Sequence, residues 1–127
     1  MQKKQVVITI LFVGMAVFIQ GCVIAAVGAG AGTVAYVRGD LQTIESKSLD
    51  YVYEAAEKAI KELGLNVTKK TKDAMSATIV ARDAQDKKIT IKLSASAEET
   101  TKLSIRIGVF GSETKSRRIY EEIKKNL

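Results

Sequence analysis

Two kinds of hydrophobic rhythm run along this chain, after an opening stretch with no charge at all from Val6 to Val37. Between Leu49 and Leu63 the apolar positions Leu49, Val52, Ala56, Ala59 or Ile60, and Leu63 recur at three- and four-residue steps, which predicts an amphipathic helix. Ser48 stands where an N-cap belongs, and Asp50 falls in the first turn, where the helix dipole favours negative charge. Glu54 with Lys58 and Glu57 with Lys61 are spaced as i,i+4 pairs on the outer face. Gly64 supplies the left-handed stop, with Leu65 folding back over the last turn. Elsewhere the period drops to two. Met75, Ala77, Ile79 and Ala81 alternate with polar or smaller neighbours, as do Ile89, Ile91 and Leu93, and then Leu103, Ile105, Ile107 and Val109. These are three half-buried strands separated by the polar connectors 83–88 and 97–101.

A further strand is expected over Tyr36–Ile44, ahead of the helix. Gly108 and Gly111 bracket Phe110 where the last strand turns into a second helix, capped by Ser112 or Thr114 and carrying the stripe Ser116, Ile119, Tyr120, Ile123 and Leu127. The order is therefore β-α-β-β-β-α. Strands with one apolar face each pair as an antiparallel sheet with its other face wet, and two amphipathic helices cover the apolar side. The fold class is an α+β two-layer sandwich, an antiparallel sheet with two helices on one face, preceded by an N-terminal hydrophobic signal or anchor. Lys92 and Arg106, with Thr90 and Ser104, are expected on the open face.

The composition of the first forty residues differs from the rest. Lys3 and Lys4 precede the apolar run Val6–Ile19, and Gln20-Gly21 lead into Cys22, the one cysteine among 127 residues. A positive start, a short apolar core and a small residue before a cleavage point are the parts of a secretory signal peptide. Ile19-Gln20-Gly21-Cys22 resembles a bacterial lipobox, although Ile19 and Gln20 depart from the commoner Leu and small residue. The resemblance implies cleavage between Gly21 and Cys22 and lipid attachment to the Cys22 thiol. Several acyl chains hold a protein stably, since each buried CH₂ contributes ~0.8 kcal/mol. Val23, where an enterobacterial-type sorting rule places Asp for inner-membrane retention, then points to the outer membrane, facing the periplasm. The organisation so read is a signal peptide over 1–21, a Gly/Ala-rich apolar tether over 22–35 and an α+β domain over 36–127. The alternative is an uncleaved membrane helix, because the uncharged stretch exceeds the ~20 residues a bilayer needs. Gly28 and Gly32 have the spacing of a helix-packing seam in such a segment.

Chemistry is narrowly bounded. With no His and a single Cys, the chain builds no His-based triad, no His metal cluster and no internal disulfide. Asp83 with Asp86 and Glu98 with Glu99 lie in polar connectors and lack the ligand number of a calcium loop. Gly28–Gly32 lacks the Lys and the strand-to-helix context of a phosphate loop. No catalytic residue, cofactor or metal is expected. Nucleic acid is excluded as a partner by export and by the scarcity of aromatics for stacking.

The domain also resembles a domain-of-unknown-function family of small bacterial lipoproteins. The likeness rests on Arg38-Gly39-Asp40-Leu41, on Ser48-Leu49-Asp50, and on Thr101 through Gly111 followed by Ser116-Arg117. It implies an envelope lipoprotein and no agreed activity. Charge supplies the other candidate. The formal +6 of the whole chain falls to +4 without Lys3 and Lys4, and cations cluster at Lys69, Lys70 and Lys72, at Lys87 and Lys88, and at Arg117 and Arg118 near Lys115. Three readings follow. The first is a non-enzymatic bacterial cell-envelope lipoprotein with a structural or adaptor role and an envelope protein as partner. The second is a membrane-surface module whose basic clusters engage anionic lipid, lipopolysaccharide or a wall polymer. The third, weakest, is a carrier of small apolar ligands between helices and sheet.

Overall fold

The computed structural model describes residues 2–8 and 34–127. The chain divides into two units, Met1–Gly30 and Ala31–Leu127. In the first unit the described residues form a helical segment over 2–8. The expected lipobox Ile19–Cys22 and most of the tether lie outside the described residues. No helix among the described residues is long and apolar enough to cross a membrane.

The second unit is α+β, with six strands in one antiparallel sheet. The strands are β1 (Val34–Val37), β2 (Asp40–Glu45), β3 (Asn66–Lys72), β4 (Ser76–Arg82), β5 (Lys88–Ala97) and β6 (Thr100–Ile107). The helices are α1 (Leu49–Glu62) and α2 (Glu113–Lys125). Spatially the order is β1-β2-β6-β5-β4-β3, so α1 carries the chain across the sheet from β2 to β3, on the far edge. Both helices pack on one face, α1 over β4 to β6 and α2 over β2 and β6.

The local reasons are those of the sequence pattern. Ser48 Oγ accepts the Tyr51 N–H at 3.4 Å, and α1 buries Leu49, Val52, Ala55, Ala56, Ala59 and Ile60. Gly64, at φ +67°, closes it, and the Leu65 N–H donates to the Ile60 carbonyl at 3.1 Å. Ala77, Ile79, Ala81, Ile89, Ile91, Leu93, Leu103, Ile105 and Ile107 form the sheet side of the core. Ser116, Ile119, Tyr120 and Ile123 are buried beneath α2. Fully burying one such aliphatic side chain contributes about 1.5–3 kcal/mol.

Four expectations are corrected. The strand expected over Tyr36–Ile44 is a hairpin, because Arg38 and Gly39 both take positive φ, 52° and 88°, and reverse the chain in a two-residue turn. Asn66–Lys72, to which the expected order β-α-β-β-β-α assigns no strand, is β3. It has no apolar alternation because every residue of this edge strand is exposed. β5 continues past Leu93 to Ala97, so the expected connector 97–101 shrinks to a turn at Glu98-Glu99. Val109 does not share the face of Leu103, Ile105 and Ile107, since β6 stops at Ile107 and Gly108 turns the chain at φ +66°. In addition, Glu57 is held by Lys70 of β3 at 2.8 Å, where the helical spacing had suggested Lys61.

Candidate functional site

Strand alternation divides the sheet's side chains between a helix-covered face and an open face. The pairing register lines up rows on the open side. One row crosses all six strands as Lys69, Val80, Thr90, Arg106, Asp40 and Val37. The next runs Thr71, Thr78, Lys92, Ser104, Gln42 and Ala35, and a third includes Ser94, Lys102 and Ile44. Arg82 faces Lys88 at the other side of the first row. Lys92 and Arg106 thus stand on the open face, as the pattern predicts.

The cations of this face fall into two groups. Both arginines are occupied. Arg106 Nη1 donates to Asp40 Oδ1 and to the Arg38 carbonyl, each at 3.1 Å, while its Nη2 donates to the Val109 carbonyl at 2.7 Å. Arg82 donates to the Asp86 carbonyl at 2.8 Å and lies 3.5 Å from its carboxylate. The four lysines, Lys69, Lys88, Lys92 and Lys102, are exposed and make no ion pair among the described residues. Asp40, already bound to Arg106, is the one carboxylate that the strands place on this face.

The structure distributes the basic clusters of the sequence over both faces of the sheet, the β4–β5 loop and α2. Lys69 and Lys70 follow the bulge that falls between Val67 and Lys69, and they point to opposite faces. Lys70 turns under α1 to Glu57, and Lys72 to Asp50, with its ammonium 5.1 Å from the Tyr53 ring centroid. The hydrogen bonds to these carboxylates raise both lysine pKa values. Arg117 is spent on Glu113 of its own helix at 2.8 Å. Lys87 lies in the β4–β5 loop and Lys88 opens β5. Arg118 stands at a cleft of about 290 Å³ lined by Leu63, Leu65, Ile89, Ile107 and Ile119. Gly21 and Cys22 lie outside the described residues.

The acidic candidates have local roles. Asp83 Oδ1 accepts the N–H groups of Gln85 and Lys87, both at 2.9 Å, and Oδ2 accepts Lys115 Nζ at 3.0 Å. These bonds, that from the Lys87 N–H foremost, hold its carboxyl below the usual range. Asp73 organises the β3–β4 turn likewise, accepting the N–H groups of Met75 and Ser76, and its carboxyl is also lowered. Glu98 and Glu99 are exposed turn residues. One buried cluster went unread in the sequence: Glu45 Oε1 accepts Tyr120 Oη at 2.8 Å and Thr43 Oγ1 at 3.0 Å beneath α2. Burial is the main cause that raises the Tyr120 phenol. Among the described residues no three His, Cys, Asp or Glu side chains converge as a metal site.

A second feature missed by periodicity lies beside Arg106. Val109 and Phe110 project at the β6–α2 corner with 79% and 93% of their surface exposed. The corner is rigidly built. Gly111, at φ +81°, packs so closely that a Cβ there would stand 2.4 Å from the Gly39 carbonyl oxygen and 2.6 Å from Tyr36 Oη. Arg106 ties the carbonyls of Arg38 and Val109 together from the open side, and the Gly108 N–H donates to the Lys88 carbonyl at 2.8 Å. Exposed Val37 ends the same row of the sheet. The signal available in sequence was Gly-Val-Phe-Gly, two apolar residues between glycines that no strand can bury.

A family model described as a protein of unknown function, DUF3568, matches residues 5–126. Comparison with curated proteins finds no match to this chain.

Proposed function

The chain belongs to DUF3568, a family of proteins of unknown function, and from that premise we propose that it is a lipid-anchored, non-enzymatic protein of the bacterial cell envelope, with a binding domain as its working part. The observation that carries this reading is the placement of the single cysteine. Lys3 and Lys4, the apolar run Val6–Ile19 and Gly21-Cys22 follow in the order that export and lipid attachment require. Acylation of Cys22 would make it the first residue of the mature protein, and Val23 favours the outer membrane. The domain then acts as an adaptor at the periplasmic surface, and its open sheet face is the part left for a partner.

Radiolabelled palmitate tests the anchor. The wild-type chain takes up label and shortens, whereas Cys22→Ser takes up none and keeps its precursor length. Label persisting in the mutant, or a precursor of unchanged length in the wild type, overturns the reading in favour of an uncleaved membrane segment.

The second reading, a module for anionic surfaces, draws support from the unpaired lysines of the open face. It is preferred to the carrier of small apolar ligands because the clefts of about 290 Å³ beside Arg118 and about 310 Å³ between α1 and β3 are at the small end of ligand sites, which run to ~300–1,000 Å³. Both are also lined in part by charged side chains, Asp83 and Lys115 in one and Glu57 and Lys70 in the other.

A further inference from the structure

The two layers of the domain differ in charge. The helices α1 and α2 together carry seven acidic and seven basic residues. On the open face of the sheet six cations, Lys69, Arg82, Lys88, Lys92, Lys102 and Arg106, oppose the single strand carboxylate of Asp40. The positive charge of the domain is thus concentrated on the sheet face that no helix of the domain covers.

The kind of cation matters as well as the number. Arginine recognises shaped anions through its planar fork, whereas lysine presents a mobile point charge. Here both arginines are occupied by carbonyls and by Asp40 or Asp86. The free charges are all lysines, with Lys92 central, Lys88 and Lys102 on the same and the neighbouring strand, and Lys69 at the edge. Lys88 and Lys92 are four residues apart on β5, about 13 Å at ~3.3 Å per residue, and Lys69 lies two strands away, so the ammonium groups are spread across the surface rather than gathered round one anion. A diffuse array fits a diffuse negative surface, in which each nearby Lys or Arg gains from the field of anionic headgroups.

At one end of this array stand the exposed side chains of Val109 and Phe110, beside Lys88 and fixed by Arg106. Apolar residues placed next to a basic field are what peripheral proteins bury at the headgroup–acyl boundary. An acidic protein partner would account for the lysines too, but a spread of point charges with both guanidinium forks already occupied fits a diffuse headgroup layer better than shaped carboxylates.

We propose that the open face docks on an anionic phospholipid bilayer, with Lys69, Lys88, Lys92 and Lys102 over the headgroups and Val109-Phe110 inserted at the interface. The proposal rests on the envelope reading insofar as that reading puts a bilayer within reach. The stretch from Cys22 to Val34 spans at most ~40 Å when extended, enough to let the domain turn this face to the membrane.

The chain contains no Trp, so Phe110→Trp introduces a single fluorescent reporter at a site exposed enough to accept it. The full chain carrying this change is reconstituted into vesicles of phosphatidylcholine, with or without phosphatidylglycerol, and with acyl chains plain or brominated. The expected result is a blue shift and quenching by brominated chains only when phosphatidylglycerol is present. Both are lost at high salt, and both are lost when Lys69, Lys88, Lys92 and Lys102 are changed together to Glu. The corresponding set of Gln changes gives a partial loss, and far-UV circular dichroism checks that each variant folds. Emission typical of exposed indole in every vesicle overturns the proposal. Quenching that ignores phosphatidylglycerol or the lysine changes overturns it too, as does a blue shift produced by an acidic protein but by no vesicle. The readout does not depend on acylation. Intact quenching without palmitate labelling sinks the anchor reading alone, and labelling without quenching sinks this one alone.

Discussion

The two faces of the sheet are made from the same strands, one residue apart, and hold their charges in opposite ways. On the helix side every lysine that β3 contributes has a carboxylate waiting: Lys70 meets Glu57 and Lys72 meets Asp50. On the open side Lys69, Lys88, Lys92 and Lys102 have none among the described residues. The covered face therefore uses charge to fasten a layer, and the open face leaves its lysines unpaired among the described residues. Where the open face does pair a cation, at Arg106, the pairing builds the corner that displays Phe110.

The contrast is sharpest in stability. Ile105 is wholly buried, and Ile105→Ala is expected to cost about 2–5 kcal/mol in chemical denaturation. Ser104→Ala, one residue away on the open side, stays within roughly 0.5 kcal/mol. A comparable loss at both positions would erase the division into covered and open faces.

The corner is the exception on the open side. Gly111→Ala forces a Cβ against the Gly39 carbonyl oxygen at 2.4 Å, at a φ of +81° that side chains avoid. A destabilisation of roughly 1–3 kcal/mol is expected, seen as a lowered denaturation midpoint. Gly64→Ala, which meets nothing within 4 Å, pays only for its φ of +67° and falls lower in that range.

Beneath α2, Tyr120→Phe removes one of the two donors to Glu45 Oε1, with an expected loss of about 1–3 kcal/mol. The pH dependence follows from the raised phenol. Its contribution is complete below the ordinary tyrosine value of 10.0 and fades as pH rises through the higher folded value. Alkaline denaturation curves of wild type and Tyr120→Phe should therefore converge above that pH. Parallel curves would mean that the phenol does not titrate with unfolding.

The smallest difference lies between adjacent residues. Lys70→Ala loses an exposed ion pair, at most about 1 kcal/mol and less in salt, whereas Lys69→Ala loses nothing measurable. Equal effects in urea titrations would show that the ion pair does not fasten β3 to α1. Asp83→Asn should weaken the domain near neutral pH and flatten its acid limb, because a lowered carboxyl stabilises above 3.8 and loses its effect as pH falls through the folded value.

Much of this is legible in the sequence. α1 was readable because Ser48, Asp50 and Gly64 mark its ends and its stripe has the helical period. The core strands were readable because Ile and Leu alternate with polar residues. β3 is hidden because an edge strand exposed on both faces carries no apolar period, and its lysines stand out only as a basic cluster. The β1–β2 turn was hidden because Arg38-Gly39 is not among the dipeptides that most often announce such a turn. The open face is anticipated through Lys92 and Arg106, but which members of the basic clusters join it is not legible from chain neighbours. Side chains of consecutive strand residues point apart, so a run such as Lys69-Lys70 cannot form one patch.

The sequence by itself determined an α+β domain with both helices on one face, since apolar period selects helix or strand wherever one side must be buried. It also determined the order of charged start, apolar run and lone cysteine on which the anchor proposal rests. Tertiary structure decided which cations are free. Whether a lysine is spent on a carboxylate depends on the layer it faces and on what that layer brings within reach, and helix carboxylates reach Lys70 and Lys72 but not Lys92. It decided the exposure of Phe110 for a similar reason: two glycines and a guanidinium from distant parts of the chain hold that corner outward.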